Sequence, residues 1–176
     1  MNSVILDTDV ASRSFKRELP PSMVQHLMGR RPFISFATLG ELIRWADQRD
    51  RAERRRARLQ HWLSAIPVLP GSEQVSRTWG ELAAFAARRG RPRPQNDTWV
   101  AACCLAYDIP LATFNIKDFA DFADYEGLEI LGYSPAYLVR TRRSPTPAPP
   151  HPVRGTGCGG PIRSRPGATR GRTVPE

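Results

Sequence analysis

Near its amino end the chain has a short apolar run, residues 4–6, that stops abruptly at an acid, Asp7. Three apolar residues are too few for a helix, but they suit a strand buried on both faces of a parallel sheet. Similar runs recur at residues 33–36, 111–113 and 128–131, with helical stretches between them. Short strands that alternate with helices predict an α/β fold with a mainly parallel sheet.

Apolar residues at helical spacing predict helices in the segments between these strands. One helix is expected from Thr38, a strongly charged one over residues 49–63, and another over residues 79–90. Residues 97–107 predict an alanine-rich helix that is apolar on most sides and therefore buried. Residues 68–69 are predicted to be a short extended segment.

Positive charge is distributed unevenly along the 176 residues, whose net charge is +9. Residues 1–140 contain 19 Lys and Arg and 16 acids, whereas residues 141–176 contain seven Arg and one acid. The latter segment has eight Pro, six Gly and no aromatic residue, so it cannot bury enough apolar surface to offset its ordering entropy. We expect a folded domain over 1–140 and a disordered basic tail over 141–176. The tail is either a neutral appendage or a weak contact for nucleic-acid phosphates.

The composition also indicates the cellular compartment of the protein. The chain lacks the run of about 18 apolar residues that a spanning helix needs, and no basic segment precedes its first apolar run, as a signal peptide would require. Of the three cysteines, Cys103 and Cys104 are adjacent, and Cys158 lies in the tail. This spacing fits neither a disulfide framework nor a zinc site, so we expect buried thiols and a cytoplasmic protein.

Four acids follow strands or begin helices, where sites in open parallel sheets usually lie. Asp7 ends the first strand, and Glu41 is expected in the first helical turn after the second. Asp97 opens the buried helix, and Asp118 follows the third strand. Carboxylates gathered at one edge repel one another unless a cation is present, and Mg²⁺ prefers oxygen ligands. Such an ion activates water and stabilises charge on a phosphoryl group.

Each acid also has a structural interpretation. Thr38 and Glu41 match a capping box, so Glu41 is explained equally well as part of a helix start. Asp97 suits the positive end of its helix, and Asp118 suits the cap of a short helix. Asp7 is the hardest to explain structurally, because it directly follows a buried run. Spacing alone does not establish that these residues converge.

Four ordered blocks of the chain resemble PIN-domain ribonucleases. Each block contains one of the four acids, and in the third the acid is followed by an apolar Ala-Ala helix. The blocks span residues 4–9, 34–42, 96–102 and 111–119, and residues 127–130 fit the last strand of the family. The resemblance covers residues 3–133, and its closest subgroup is the VapC-like toxins of type II toxin–antitoxin modules.

This resemblance implies a PIN-like three-layer α/β/α domain over residues 1–140. It implies an endoribonuclease that depends on Mg²⁺ or Mn²⁺ and cleaves RNA phosphodiesters with metal-activated water. The implied partners are an RNA substrate, a cognate VapB-like antitoxin and a second copy of the chain, in a homodimer or a heteromeric toxin–antitoxin complex. A membrane is not among them.

The resemblance also implies roles for individual residues. Asp7, Glu41, Asp97 and Asp118 occupy the four acidic positions of the family. We expect Asp7 and Asp97 to be the most direct metal ligands, with Glu41 and Asp118 completing the cluster directly or through water. Asn115 is expected to hold the attacking water or a phosphate oxygen.

Two residues depart from the family pattern. Asp9 stands where the family usually has Asn or Ser, so it is a possible extra metal ligand. Phe114 stands where a basic residue is common, which weakens a phosphate contact near Asn115. The tail beyond Thr141 has no counterpart in the resemblance.

Two other functions remain open at this point. Asp7 and Asp9 also resemble the Asp-x-Asp of haloacid-dehalogenase-type phosphatases, where the first Asp is a nucleophile and the second an acid/base. That family favours Thr or Val where this chain has Ala11, and it needs a later catalytic Lys, although only Lys16 and Lys117 are available. The second alternative is a nucleic-acid-binding module without catalysis.

An arginine-rich stretch, residues 49–58, carries six Arg and two acids, and a third acid, Asp47, precedes it by two residues. Its simplest interpretation is a solvated helix face. The functional alternative is a surface that guides RNA or receives an acidic segment of an antitoxin.

Overall fold

The structure, a computed structural model, describes residues 2–48 and 52–134. The predicted tail over 141–176 lies outside the described residues, as do residues 49–51 of the arginine-rich stretch. Within the described part, no helix combines the length and the apolar character that crossing a bilayer would require.

Four parallel strands form one sheet in the described part of the chain. They are β1 (Ser3–Leu6), β2 (Arg31–Ser35), β3 (Val68–Leu69) and β4 (Leu111–Ala112), in the order β3-β2-β1-β4. The predicted parallel sheet is therefore confirmed, and the segment at residues 68–69 is its edge strand. The predicted strand at 128–131 is reduced to a single parallel bridge between Ile130 and Leu111.

Seven helices surround this sheet within the described residues. They are α1 (Thr8–Lys16), α2 (Pro21–Leu27), α3 (Phe36–Asp47), α4 (Ala52–Leu63), α5 (Glu73–Arg88), α6 (Gln95–Tyr107) and α7 (Ile116–Glu126). The predicted helices over 79–90 and 97–107 are confirmed, and both begin earlier than expected, since α5 starts at Glu73 and α6 at Gln95.

The side chains of β1 alternate between two hydrophobic cores. Ile5 packs with residues of α5, α6 and α7 on one face of the sheet. Val4 and Leu6 pack with residues of α1, α3 and α4 on the other face. Because both faces of the sheet are covered by helices, the fold has the three α/β/α layers expected from the resemblance. Cys103 and Cys104 are buried free thiols in the first core, as predicted.

Helix α3 begins directly at the end of β2, two residues before the predicted start. The Ser35 hydroxyl accepts the Thr38 backbone N–H at 3.0 Å, so Ser35 is the N-cap residue. The capping-box interpretation of Thr38 and Glu41 is therefore wrong. Glu41 lies in the second turn of α3, not the first, and its carboxylate is free to face the neighbouring elements.

Candidate active site

Asp7 lies at the junction of β1 and α1 and is only 6% exposed. Its Oδ1 accepts the Thr8 N–H at 2.7 Å, and its Oδ2 accepts the Thr113 hydroxyl at 2.8 Å. Burial, followed by the negative charges of Asp9 and Asp97, raises the pKa of Asp7 to about 7. A carboxylate is thus held firmly in a position that disfavours its own charge.

Asp9 is the second residue of α1 and faces the segment that follows β4. Its Oδ2 accepts the Phe114 backbone N–H at 3.0 Å. Its Oδ1 is buried and has no hydrogen-bond partner among the described residues. Burial raises the pKa of Asp9, and the negative charge of ionised Asp9 in turn contributes to the raised pKa of Asp7.

Glu41 is held by donors from two other elements. Its Oε2 accepts a short hydrogen bond from the Thr8 hydroxyl, at the start of α1. Its Oε1 accepts the Asn96 side-chain amide at 2.6 Å, at the start of α6. Glu41 therefore connects the beginnings of two helices that carry Asp7 and Asp97.

Asp97 and Asp118 both lie in the first turn of a helix, α6 and α7 respectively. Burial raises the pKa of Asp97 to about 6, and the charges of Asp118, Glu41 and Asp9 contribute in that order. Asp118 Oδ2 accepts the Asn115 side-chain amide at 2.5 Å. The acids of the four predicted positions therefore interact electrostatically, although they are up to about a hundred residues apart in sequence.

A cleft of about 460 Å³ opens at this edge of the sheet. Five of the predicted site residues line it: Asp7, Asp9, Glu41, Asp97 and Asn115. Asp118 is not part of the lining and reaches the cleft through its hydrogen bond to Asn115. Arg44 adds a cation to the wall. The cleft is therefore mainly acidic.

Three hydrogen-bond donors of this site had no role in the sequence-based prediction. Thr8 and Asn96 hold Glu41, and Thr113 holds Asp7 while accepting the Asn115 N–H at 2.9 Å. Thr8 and Asn96 each adjoin a predicted acid in the sequence, and Thr113 directly follows β4. Their position next to these residues in the sequence could have identified them, because residues beside the end of a strand lie at the same edge of the sheet as the acids.

The donor chemistry of the cleft suits a hard divalent cation, because its candidate ligands are carboxylate oxygens. The unpartnered Asp9 Oδ1 is a further oxygen available to such an ion. Within residues 2–48 and 52–134, however, no three Asp, Glu, His or Cys side chains stand as a ready-made ligand set. The carboxylates of Glu41 and Asp118 are directed instead towards the amide and hydroxyl donors described above.

Comparison with known proteins identifies the class. The sequence matches the PIN domain family over residues 4–125, so the chain belongs to that family. This membership confirms the resemblance and excludes a haloacid-dehalogenase-type phosphatase. Within the family the chain is VapC-like. It is 28% identical to Ribonuclease VapC1 of Haemophilus influenzae over 125 residues, which are 69% of this chain and 93% of the relative.

Further relatives agree with this assignment. The chain is 29% identical over 121 residues to a tRNA(fMet)-specific endonuclease VapC of Shigella flexneri, covering 68% of this chain and 91% of that one. The fold is similar to VapBC-1 of nontypeable Haemophilus influenzae, with a TM-score of 0.64, 26% identity and coverage of 73% and 96%. It is also similar to VapBC-5 of Mycobacterium tuberculosis, a member of the VapBC family of toxin-antitoxin systems, with a TM-score of 0.57, 26% identity and coverage of 74% and 98%.

Proposed function

We propose that this protein is a metal-dependent endoribonuclease and the toxin of a toxin–antitoxin pair. Its relatives named as VapC ribonucleases support RNA as the substrate. The observation that carries the proposal is the gathering of Asp7, Asp9, Glu41 and Asp97 around one cleft, with Asp118 linked to it through Asn115. Buried carboxyl groups that repel one another need a cation to be stable in their ionised form.

Asp7 and Asp97 are the proposed direct ligands of Mg²⁺ or Mn²⁺, and Glu41 and Asp118 complete the set directly or through water. Asp9 adds an oxygen that no described donor satisfies. A bound divalent ion would supply an activated water molecule and stabilise the charge that develops at phosphorus.

The other residues of the cleft have positioning roles in this proposal. Thr113 orients the Asp7 carboxylate, and it also accepts the backbone N–H of Asn115. The Asn115 side-chain nitrogen donates to Asp118, which leaves the carbonyl oxygen of the same amide available to accept a hydrogen bond from water. Thr8 and Asn96 hold Glu41 between α1 and α6.

The proposed setting is the cytoplasm, with a VapB-like antitoxin as partner and a homodimer as the basic assembly. The antitoxin is supported by the similarity to VapBC-5, which is described as part of a toxin-antitoxin system. Light scattering of the purified chain, alone and with the product of the neighbouring gene, tests the homodimer and the antitoxin partner. A monomer that binds no such product would contradict them.

Cleavage of RNA by the purified chain is the decisive experiment. Labelled RNA is incubated with Mg²⁺ or Mn²⁺ or with EDTA, and the products are separated on a gel. We expect cleavage only with a metal, and none with Asp7→Asn, which keeps size but removes the charge. Glu129→Gln is the matched control, because this exposed carboxyl lies outside the cleft. Cleavage in EDTA, or by Asp7→Asn at the wild-type rate, would contradict the proposal.

Growth provides an independent measurement. Expression of the chain alone should arrest growth, and Asp7→Asn should relieve the arrest at an equal level of soluble protein. Equal toxicity of the variant would contradict metal catalysis. RNA binding that persists without cleavage under any divalent ion would instead support the non-catalytic nucleic-acid-binding module.

A further inference from the structure

Helix α1 contacts Phe114 at two points beside the acidic cleft. The Asp9 carboxylate accepts the Phe114 backbone N–H at 3.0 Å, and the Arg13 guanidinium carbon lies 4.8 Å from the centre of the Phe114 ring. Asp9 and Arg13 are four residues apart and therefore share one face of the helix. The same helix face thus holds both the backbone and the ring of Phe114.

Phe114 is 37% exposed and directly precedes Asn115, which lines the cleft. Over a third of the residue stays in water, so Phe114 presents apolar surface to the solvent that a ligand could cover. Unpaired nucleobases stack on exposed aromatic rings and on guanidinium planes, and such stacking tolerates any base. The ring is therefore suited to a base beside the reacting phosphate.

Arg13 supplies a positive charge that the acidic wall of the cleft needs if it is to hold a polyanion. Its side chain is exposed. Its charge reaches Asp9, because it opposes the rise that burial causes in the pKa of that carboxyl. A planar guanidinium can stack on a ring and still direct N–H groups to a phosphate at its edge.

We propose that Arg13 and Phe114 form a nucleotide-binding subsite at the edge of the cleft. The base of a single-stranded RNA nucleotide stacks on the Phe114 ring, and Arg13 binds the phosphate of the same nucleotide. The inference rests on RNA as the substrate of the proposed function. It assigns to these two residues the binding of the nucleotide next to the cleaved bond.

The chain contains a matched pair with the same chemistry elsewhere. On α5, the Arg88 guanidinium carbon lies 4.6 Å from the centre of the ring of Phe85, a residue that is 41% exposed. Neither residue lines the acidic cleft. Substitutions at Phe85 and Arg88 therefore control for the loss of an exposed aromatic ring or of a surface charge.

The test is RNA binding by the full chain. Asp7→Asn protein in EDTA is titrated into a fluorescein-labelled single-stranded RNA of about 12 nucleotides, within the range of known single-strand sites, and anisotropy is measured. Adding Phe114→Ala should weaken binding about fivefold to 100-fold, and Phe114→Trp should restore it. Arg13→Gln should reduce the slope of log affinity against log salt by about 0.7, the loss of one phosphate contact. Phe85→Ala and Arg88→Gln should change neither quantity.

A second variant separates stacking from packing. Phe114→Leu keeps an apolar side chain but has no ring, so it should bind RNA like Phe114→Ala while its unfolding temperature stays close to the parent. If Phe114→Leu binds normally, or if Phe114→Trp fails to restore affinity, the ring is not a stacking surface and the proposal is overturned. An RNA with abasic riboses should bind the parent and Phe114→Ala equally well.

RNA cleavage by the chain with Asp7 intact distinguishes failure of the nucleotide-binding subsite from failure of the proposed nuclease function. With Mn²⁺, Phe114→Ala should raise KM more than it lowers kcat. If the wild type cleaves RNA and Phe114→Ala matches it in binding and KM, the subsite fails while the proposed function holds. If the wild type cleaves nothing but Phe114→Ala still loses affinity, the subsite holds as a binding site and the nuclease proposal fails.

Discussion

Burial of Asp7 predicts that the metal-free protein loses stability as pH rises. In the folded protein the pKa of Asp7 is raised to about 7, from about 3.8 in an unfolded chain. Between these two values the folded state binds a proton that the unfolded state has released, so the free energy of unfolding falls with increasing pH. A shift of three pKa units corresponds to about 4 kcal/mol of unfolding free energy. Solvent screening reduces this value only slightly, because Asp7 is only 6% exposed.

Asp7→Asn removes the contribution of Asp7 to this dependence, because an amide carries no charge at any of these pH values, and leaves the contributions of Asp97 and Asp9, whose pKa values are also raised. Its oxygen still accepts the Thr8 N–H, and Thr113 can accept from its nitrogen instead of donating. We expect the variant to match the wild type near pH 4 and to be more stable by about 2–4 kcal/mol at pH 8 in EDTA. A residue required for catalysis would thus cost stability when no metal is bound.

Urea unfolding followed by circular dichroism from pH 4.5 to 8 measures the effect. Glu129→Gln, a change at an exposed carboxyl, should follow the wild type throughout. Mg²⁺ at about 100 times its Kd should then stabilise the wild type at pH 8 by about 2.7 kcal/mol and leave Asp7→Asn unchanged. If the wild type and Asp7→Asn lose stability in parallel as pH rises, the stated origin of the pKa shift is refuted.

Three further outcomes are expected. Asp9→Asn removes the charge that raises the pKa of Asp7 most, so this pKa should fall in a carboxyl-carbon NMR titration, and an unchanged value would contradict this. Asp121→Ala leaves Arg93 without its partner in a largely buried ion pair and should lower the urea-unfolding free energy by about 3–5 kcal/mol, whereas a loss below about 1 kcal/mol would mark a surface pair. Truncation after Arg143 should leave thermal unfolding and the cleavage rate unchanged but lower the salt slope of RNA binding by at most about 3, and a lower unfolding temperature would show that the tail packs on the domain.

The sequence was sufficient to predict the elements that depend on local pattern. Short apolar runs marked β1, β2 and β4, and helical spacing marked α5 and α6, because side-chain periodicity follows directly from backbone geometry. The ends of elements were predicted less well. The Ser35 hydroxyl, not Thr38, caps α3, and the last predicted strand forms only one bridge, because both outcomes depend on competing partners brought by the rest of the fold.

The candidate site divides in the same way. Asp7 was found from sequence because the carboxyl ends of parallel strands share one edge, so its strand alone places it in the cleft, whereas Asn115 was predicted from the resemblance. Which groups meet there was decided by the tertiary structure. The hydrogen bond between Asn96 and Glu41 spans 55 residues, and the bond from Phe114 to Asp9 spans 105. Contacts at such separations, and the burial that shifts each pKa, arise from the packing of whole elements, which no local pattern encodes.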